Sequence, residues 1–443
     1  MKKILKTIIT IIIALVLFIG TGGLLRYLLF DDVESYSRLL FHDLHHEEDN
    51  IDTLFVGSSH VRRSVNPLII DEITGLHSFN CGTSGQWIDG SLAVIRDACR
   101  NNDVEQIYLD MYYSMLEADF QERISMAQTY LIADYLPWSV DKVRYLLHAS
   151  DPKYYSNSFI VARRNWEKLV DTEYVADLYE RKHEQTYLNY EWVDWESAYG
   201  DYYVARGFFT NDSSSESRQR WNSYAYSEIQ NIDQISRKDG DWRQTLEQIV
   251  NYCASREIRL ILYTTPEPEW TFIGKGNYQE YTDAIRSVAE EYDLPYYDFN
   301  LIKPEYFDDN DGSIFMDVDH MNSKGAGLFS TLLGKFIAGD LEGEDLFYSS
   351  LEEKLAEEEP RVYGVAVPWD GVHGESELYI IANRTEGIEY KLTAYSDQTG
   401  KKTLIRDFEE NRYFRLPQEE TGILIIQWRT EKGTEGQGIR LDY

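Results

Sequence analysis

The chain has 443 residues, 43% of them hydrophobic and 14% aromatic, with 34 Tyr and 10 Trp. That composition supplies a sizeable core, allows two or three domains and excludes a disordered chain. A formal net charge of −33 excludes a nucleic-acid partner, because a polyanion would be repelled.

The first element is apolar. Lys2, Lys3 and Lys6 precede an uncharged run from Thr7 to Leu25, long enough to cross a bilayer as one helix. The lysines hold their end in the cytoplasm, which sends everything after Arg26 outside. A cleaved signal peptide is the rival reading, but no A-x-A-like site follows, so residues 1–30 read as a retained single-pass signal anchor of an extracellular body. Residues 31–50 are polar and read as a juxtamembrane spacer. His42, His45 and His46 share a helix face there by spacing, yet a metal would need further ligands, so none is assigned. Cys81, Cys99 and Cys253 lack the even, clustered pattern of a disulfide framework and read as small buried hydrophobes.

From residue 51 the pattern alternates. Asp52–Gly57 is a buried strand ending at a glycine, Pro67–Ile73 a short helix and His77–Asn80 a second strand. Gln86–Asn101 is a helix and Glu105–Asp110 a third strand. Alternation resumes after residue 240 with a helix over Trp242–Ala254, a strand over Ile258–Tyr263 and a helix over Tyr278–Tyr292. A strand over Leu294–Phe299 and a helix over Ser323–Ala338 complete it. Five strands joined by helical crossovers predict an α/β domain over 51–340 with a parallel sheet between helical layers. Residues 115–239 interrupt it with an aromatic-rich insertion, helical over Val140–Leu147 and Phe159–Val170, with an exposed loop expected at 213–217. Residues 341–360 read as an acidic linker. Seven short runs over 361–443, separated by turn residues, predict a small antiparallel β-sandwich.

Three segments carry chemistry. In Phe55-Val56-Gly57-Ser58-Ser59-His60, a serine follows a buried strand at its carboxyl end, where ligands of open parallel sheets sit. Its Oγ would stand above the sheet with its own N–H facing the same way; Ser58 or Ser59 would equally serve as a helix N-cap. Asn80-Cys81-Gly82-Thr83-Ser84-Gly85 follows the second strand and offers a backbone N–H to an oxyanion, or is an ordinary turn. Asp317-Val318-Asp319-His320 precedes the last helix. A carboxylate three residues before a histidine can curl back to hold Nδ1–H, leaving Nε2 to accept a serine proton. Arg62 and Arg63 are candidates to hold an anionic substrate group, or are structural.

Together these segments resemble the SGNH (GDSL-like) hydrolase family, whose fold is a three-layer, flavodoxin-like α/β/α sandwich. The resemblance covers about 51–114 and 240–340. Its G-D-S block matches Gly57-Ser58-Ser59, its oxyanion glycine Gly85, and its D-x-x-H block Asp317 and His320. Ser58 stands where the family carries Asp. The family's G-x-N-D block falls at Leu109-Asp110-Met111-Tyr112-Tyr113, which has no Asn. Either Tyr112 or Tyr113 contributes a hydroxyl, or the oxyanion hole has two donors.

The resemblance implies Ser59 as nucleophile, His320 as general base, Asp317 as its orienting carboxylate and the N–H groups of Ser59 and Gly85 as oxyanion donors, with no cofactor. The anchored topology is similar to that of envelope proteins such as the alginate-acetylation proteins and the D-alanyl transfer protein of teichoic-acid systems. It implies an esterase acting on O-acyl groups of an envelope polysaccharide. Alternatives are an O-acyltransferase supplied by a membrane acyl-donor partner, and a non-catalytic envelope scaffold or glycan-binding protein.

Overall fold

The computed structural model describes residues 2–117, 126–192, 200–214, 232–366, 377–384, 386–415, 421–430 and 439–442. Its centre is a parallel sheet of five strands: β1 (Thr53–Val56), β2 (Ser78–Asn80), β3 (Gln106–Asp110), β6 (Arg259–Thr264) and β7 (Tyr296–Asp298). Their order is β2-β1-β3-β6-β7, with Leu54 opposite both Phe79 and Ile107, Leu109 opposite Leu262, and Thr264 opposite Asp298. The three central strands β1, β3 and β6 are buried on both faces, so they read as largely apolar runs, and the two-residue period sorts their side chains. Leu54, Val56, Ile107, Leu109, Leu260 and Leu262 enter one cluster. It is closed by α5 (Ile88–Ala98) and by the helices Asp241–Ala254 and Tyr278–Glu291. Phe55, Tyr108, Ile261 and Tyr263 enter the other. That side is closed by α3 (Ser59–Ser64), α4 (Pro67–Thr74) and the helix Ser323–Ala338. The chain is therefore a mixed α/β protein with helices on both faces of its sheet. The strand order reverses between β1 and β3, which opens a crevice at their carboxyl ends.

The N-terminal helix α1 (Lys2–Leu29) contains one stretch, Ile4–Leu29, long and apolar enough to cross a membrane; a signal sequence would meet the same criterion.

The spacer expected at 31–50 is not a solvated stalk. Helix α2 (Tyr36–His46) buries Leu39, Leu40, Phe41 and Leu44, and three of these join the core of the α/β domain. The Tyr36 hydroxyl accepts the N–H of Ser84 at 2.7 Å. The histidines there are engaged separately: His45 Nε2 lies 2.6 Å from Asp97, and His42 stacks on Tyr190 and His46. Cys81, Cys99 and Cys253 are all free and buried.

Two helices of the insertion are Val140–Ala149 and the 3₁₀ stretch Val161–Val170, kinked at Asn165. The insertion also holds a hairpin absent from the sequence reading, β4 (Tyr202–Ala205) and β5 (Phe208–Thr210). The N–H of Asn80 donates to Arg206 O at 3.0 Å, and that of Ser323 to Asn211 O at 2.7 Å. The hairpin thus links the end of β2 to the helix that follows His320. Of the loop expected at 213–217, Ser213 and Ser214 are half-buried and residues 215–217 lie outside the described residues.

The segment 341–360 is likewise no loose linker. Leu346 and Lys354 are fully buried, and the Lys354 ammonium lies 3.0 Å from both Asp309 and Glu358 and 3.7 Å from Glu269. The remaining strands are β8 (Val362–Ala366), β9 (Glu377–Ala382), β10 (Ile388–Ser396), β11 (Lys402–Glu409), β12 (Tyr413–Arg415), β13 (Gly422–Thr430) and β14 (Ile439–Asp442). They form two antiparallel sheets, β11-β10-β13-β14 and β12-β9-β8, that share one apolar cluster of Val365, Ile380, Tyr390, Leu392, Leu424 and Ile426.

Candidate active site

Ser59 stands where β1 turns into α3. Gly57 makes that turn possible by close approach: a Cβ there would come 2.5 Å from Val61 Cγ2 and 2.6 Å from Asp110 Cβ. Ser58 takes the N-cap, its Oγ accepting the His60 N–H at 3.3 Å. The neighbouring Ser59 is therefore not needed as a cap and stands half-buried. Buried Asn80 holds the next turn against this one. Its Nδ2 donates to Val61 O at 2.8 Å and Val65 O at 2.7 Å, and its Oδ1 accepts the Gly82 N–H at 2.9 Å.

The loop carrying His320 is built by one carboxylate. Asp317 Oδ1 accepts the N–H groups of Asp319 and His320, each at 2.8 Å, which curls the chain into an Asx turn. The turn brings the His320 ring back over the same group, with Nδ1 3.1 Å from each carboxylate oxygen. Asn322 then caps the following helix through the Gly325 N–H and ties it to Ser213 O and Ser313 O. His320 Nε2 comes to 2.8 Å from Ser59 Oγ, across 261 residues of sequence. Burial alone would raise the Asp317 carboxyl. The hydrogen bond and charge of His320, with the two N–H donors, outweigh it and bring the group down to about 2. Asp317 is thus an anion at neutral pH. It accepts from Nδ1–H, which leaves the Nε2 lone pair to the serine hydroxyl.

Gly85 has φ +58, and a Cβ there would meet Gln128 of the insertion at 2.7 Å. Among the described residues, neither the Ser59 N–H nor the Gly85 N–H has a protein acceptor. Within Leu109–Tyr113, Asp110 is turned to Thr265: its Oδ1 accepts the Thr265 N–H at 3.0 Å and hydroxyl at 3.2 Å. The tyrosines are not open substrate contacts. Tyr113 is buried and its hydroxyl donates to Glu267 at 3.1 Å. Tyr112 packs its ring 3.8 Å from that of His60. Arg62 also differs from the expectation of substrate contact: it is buried against the rings of Tyr36 and Phe209, at 4.3 and 4.8 Å. Arg63 is paired with Asp201 through two hydrogen bonds of 3.1 and 2.9 Å.

Behind His320 lies a polar group that the sequence reading missed: buried His60, Glu267 and Lys275, with half-buried Asp319 beside them. The rings of His60 and His320 are 4.9 Å apart. His60 Nδ1 lies 3.3 Å from Ser58 Oγ, while its Nε2 and Glu267 Oε1 face each other at 3.8 Å, neither with a hydrogen-bond partner. Burial holds His60 well below the ordinary imidazole value, and the neighbouring His320 adds to the effect. Burial, with the charge of Asp319, holds Glu267 well above the carboxylate range, against the pull of Lys275. His60 is therefore neutral at pH 7, so a proton arriving on His320 meets no second charged imidazole beside it. Two signals were available in the sequence: His60 adjoins Ser59, and Glu267 follows β6 at the carboxyl edge of the sheet.

No protein-family model matches the chain, and no curated protein matches it. Among solved structures that resemble it is a candidate acylhydrolase from Bacteroides fragilis, 10% identical, covering 67% of this chain and 90% of that one at a TM-score of 0.29. A likeness that slight leaves the activity to be argued from the site itself.

Proposed function

We propose that this protein is a serine esterase of the SGNH type that removes O-acyl groups from a cell-envelope glycan, held to the membrane by α1. The observation that carries the reading is the chain of contacts from Asp317 through His320 to Ser59, 3.1 Å at one end and 2.8 Å at the other. His320 Nε2 takes the Ser59 proton as Oγ attacks the ester carbonyl, and Asp317 holds the imidazole in the accepting tautomer and stabilises its charged form. The N–H groups of Ser59 and Gly85 are assigned to the carbonyl oxygen as it gains charge, a two-donor arrangement, since the Tyr113 hydroxyl is committed to Glu267 and Tyr112 is packed on His60. The alcohol leaves with the proton from His320. Water, deprotonated by the same imidazole, then releases the acid and restores the serine.

The glycan substrate is assigned from α1, which is able to hold the site at a membrane surface, and from a half-buried serine at the carboxyl edge of the sheet that keeps part of its surface in solvent. The test is Ser59→Ala in the full chain, assayed on a small acetyl ester and on an O-acetylated glycan. Loss of at least about a thousandfold on both is expected. Undiminished turnover would overturn the reading, and loss on the small ester without any turnover of glycan by the parent protein would overturn the substrate assignment.

A further inference from the structure

The insertion reaches the outer end of α1 and grips it. Arg26 donates to Asp134 O at 2.8 Å, Asn165 Nδ2 to Leu29 O at 3.0 Å, and Lys182 Nζ to Tyr27 O at 3.1 Å. Lys6 and Arg26 bracket residues 7–25, all uncharged. At 1.5 Å rise per residue that run is about 28 Å long, close to the thickness of a bilayer's hydrocarbon core. If α1 spans a membrane, as the proposed function has it, Arg26 lies at the outer boundary and Phe18 lies about 12 Å below it. A cavity of about 540 Å³ runs along this segment. One wall is α1 from Phe18 to Arg26, and the other is Trp138 and the stretch Phe159–Ala162 of the insertion. Part of the insertion therefore sits at the depth of the outer leaflet.

The side chains on that part, and on the residues that adjoin it in sequence, suit lipid. Trp138, Val140, Ile160 and Leu169 are exposed, Trp166 is 70% exposed and Val170 87%. Four of the six belong to the stretch 160–170, whose helix Val161–Val170 packs directly on α1. Tryptophans at the edge of an apolar patch match the aromatic belt of membrane-interface proteins. The charge is also local: residues 138–170 carry six Lys and Arg against three Asp and Glu, in a chain of net charge −33. Lys142 is buried and Arg164 is bound to Asp134, but Arg144, Lys153, Arg163 and Lys168 are exposed, and basic residues beside an apolar face snorkel to lipid phosphates.

We infer that this face of the insertion is a foot embedded in the outer leaflet of the bilayer that α1 crosses, so that the catalytic domain is seated on the membrane at two points. Its occupant is lipid. The inference rests on the reading of α1 as a membrane span, and the test separates the two. The full chain is reconstituted into phospholipid vesicles with single nitroxide labels at Ile160→Cys, Trp166→Cys or Val170→Cys. The same label at Ile9→Cys serves as reference for α1, and at Leu404→Cys, an exposed site on β11, as reference for water. The three native cysteines are buried. Collision rates with oxygen and with a water-soluble nickel chelate are compared. Expected is a several-fold preference for oxygen at 160, 166 and 170, as at 9, and the reverse at 404. Chelate accessibility at 160, 166 and 170 like that at 404, with lipid-type behaviour at 9, would overturn the foot and leave the anchor standing. Exclusion of both agents at those sites would mean that protein covers the face, and would also overturn it. Water-type behaviour at 9 would overturn the membrane span and the foot with it.

Discussion

Replacing Asp317 with Asn changes one atom and reverses a proton. Asp317 Oδ1 accepts two backbone N–H groups at 2.8 Å each. In Asp317→Asn the amide oxygen must stay on those donors, so the amide N–H turns toward His320 Nδ1. That nitrogen then has to accept, which places the imidazole proton on Nε2, facing Ser59 Oγ. The serine loses its base. Flipping the amide restores the tautomer but breaks two hydrogen bonds worth about 1 kcal/mol each. In either arrangement the transition state also loses an anion beside the imidazolium, about 4 kcal/mol for unit charges some 4 Å apart at an effective dielectric near 20. Together these cost roughly 4–6 kcal/mol, or a fall in kcat/KM of roughly 10³- to 10⁴-fold. The assay is ester hydrolysis by the purified full chain at pH 7–8, with the melting temperature as a control for folding. A loss below about tenfold, with Ser59→Ala inactive in the same assay, would show that Asp317 does not set the tautomer of His320.

Asp110→Asn tests the buried carboxyl under the serine turn. Burial, reinforced by the charge of Asp298 and opposed by the two Thr265 hydrogen bonds, raises this group to about 7. Between pH 4 and pH 7 the folded state therefore holds a proton that the unfolded state has released, and stability falls as pH rises through that window. The variant should match the parent near pH 4 and exceed it near pH 8 by on the order of 2–4 kcal/mol in urea unfolding; an equal difference at both pH values would refute the assignment. Lys354→Met strands the carboxylates of Asp309, Glu358 and Glu269 around a buried gap. Such a change costs about 3–5 kcal/mol, to be read as a lowered melting temperature with esterase kinetics per folded molecule unchanged; an unaltered melting temperature would contradict the reading of 341–360 as a structural tie. Gly57→Ala forces a Cβ into Val61 and Asp110 and is expected to cost about 1–3 kcal/mol and to displace Ser59, so that activity falls more steeply than stability.

The sheet was legible because its central strands are short, buried runs separated by amphipathic helices, and residues 54–56, 107–109 and 260–262 carry that pattern without long-range information. Asp317 and His320 were legible as a pair because the turn that joins them is local, made from one side chain and the two N–H groups just after it. What escaped depends on tertiary contacts. Leu40, Phe41 and Leu44 of α2 form a helical stripe that the charged residues around it mask. The hairpin of β4 and β5 is held by Asn80 of the distant β2 and by Asp201 on Asn211, contacts that exist only in the folded chain. His60 and Glu267 are 207 positions apart and meet only because β1 and β6 end at the same rim. Lys354 reads as one cation in an acidic helix until the fold buries it among three carboxylates.

The central claim is that Ser59 is a nucleophile made reactive by His320. Treating the full chain with a fluorophosphonate and mapping the adduct by peptide mass spectrometry tests it most directly. One phosphonyl group on Ser59 is predicted, with none on Ser58, and His320→Ala should slow its formation by at least about a hundredfold. An unmodified Ser59, or labelling just as fast without the imidazole, would contradict it.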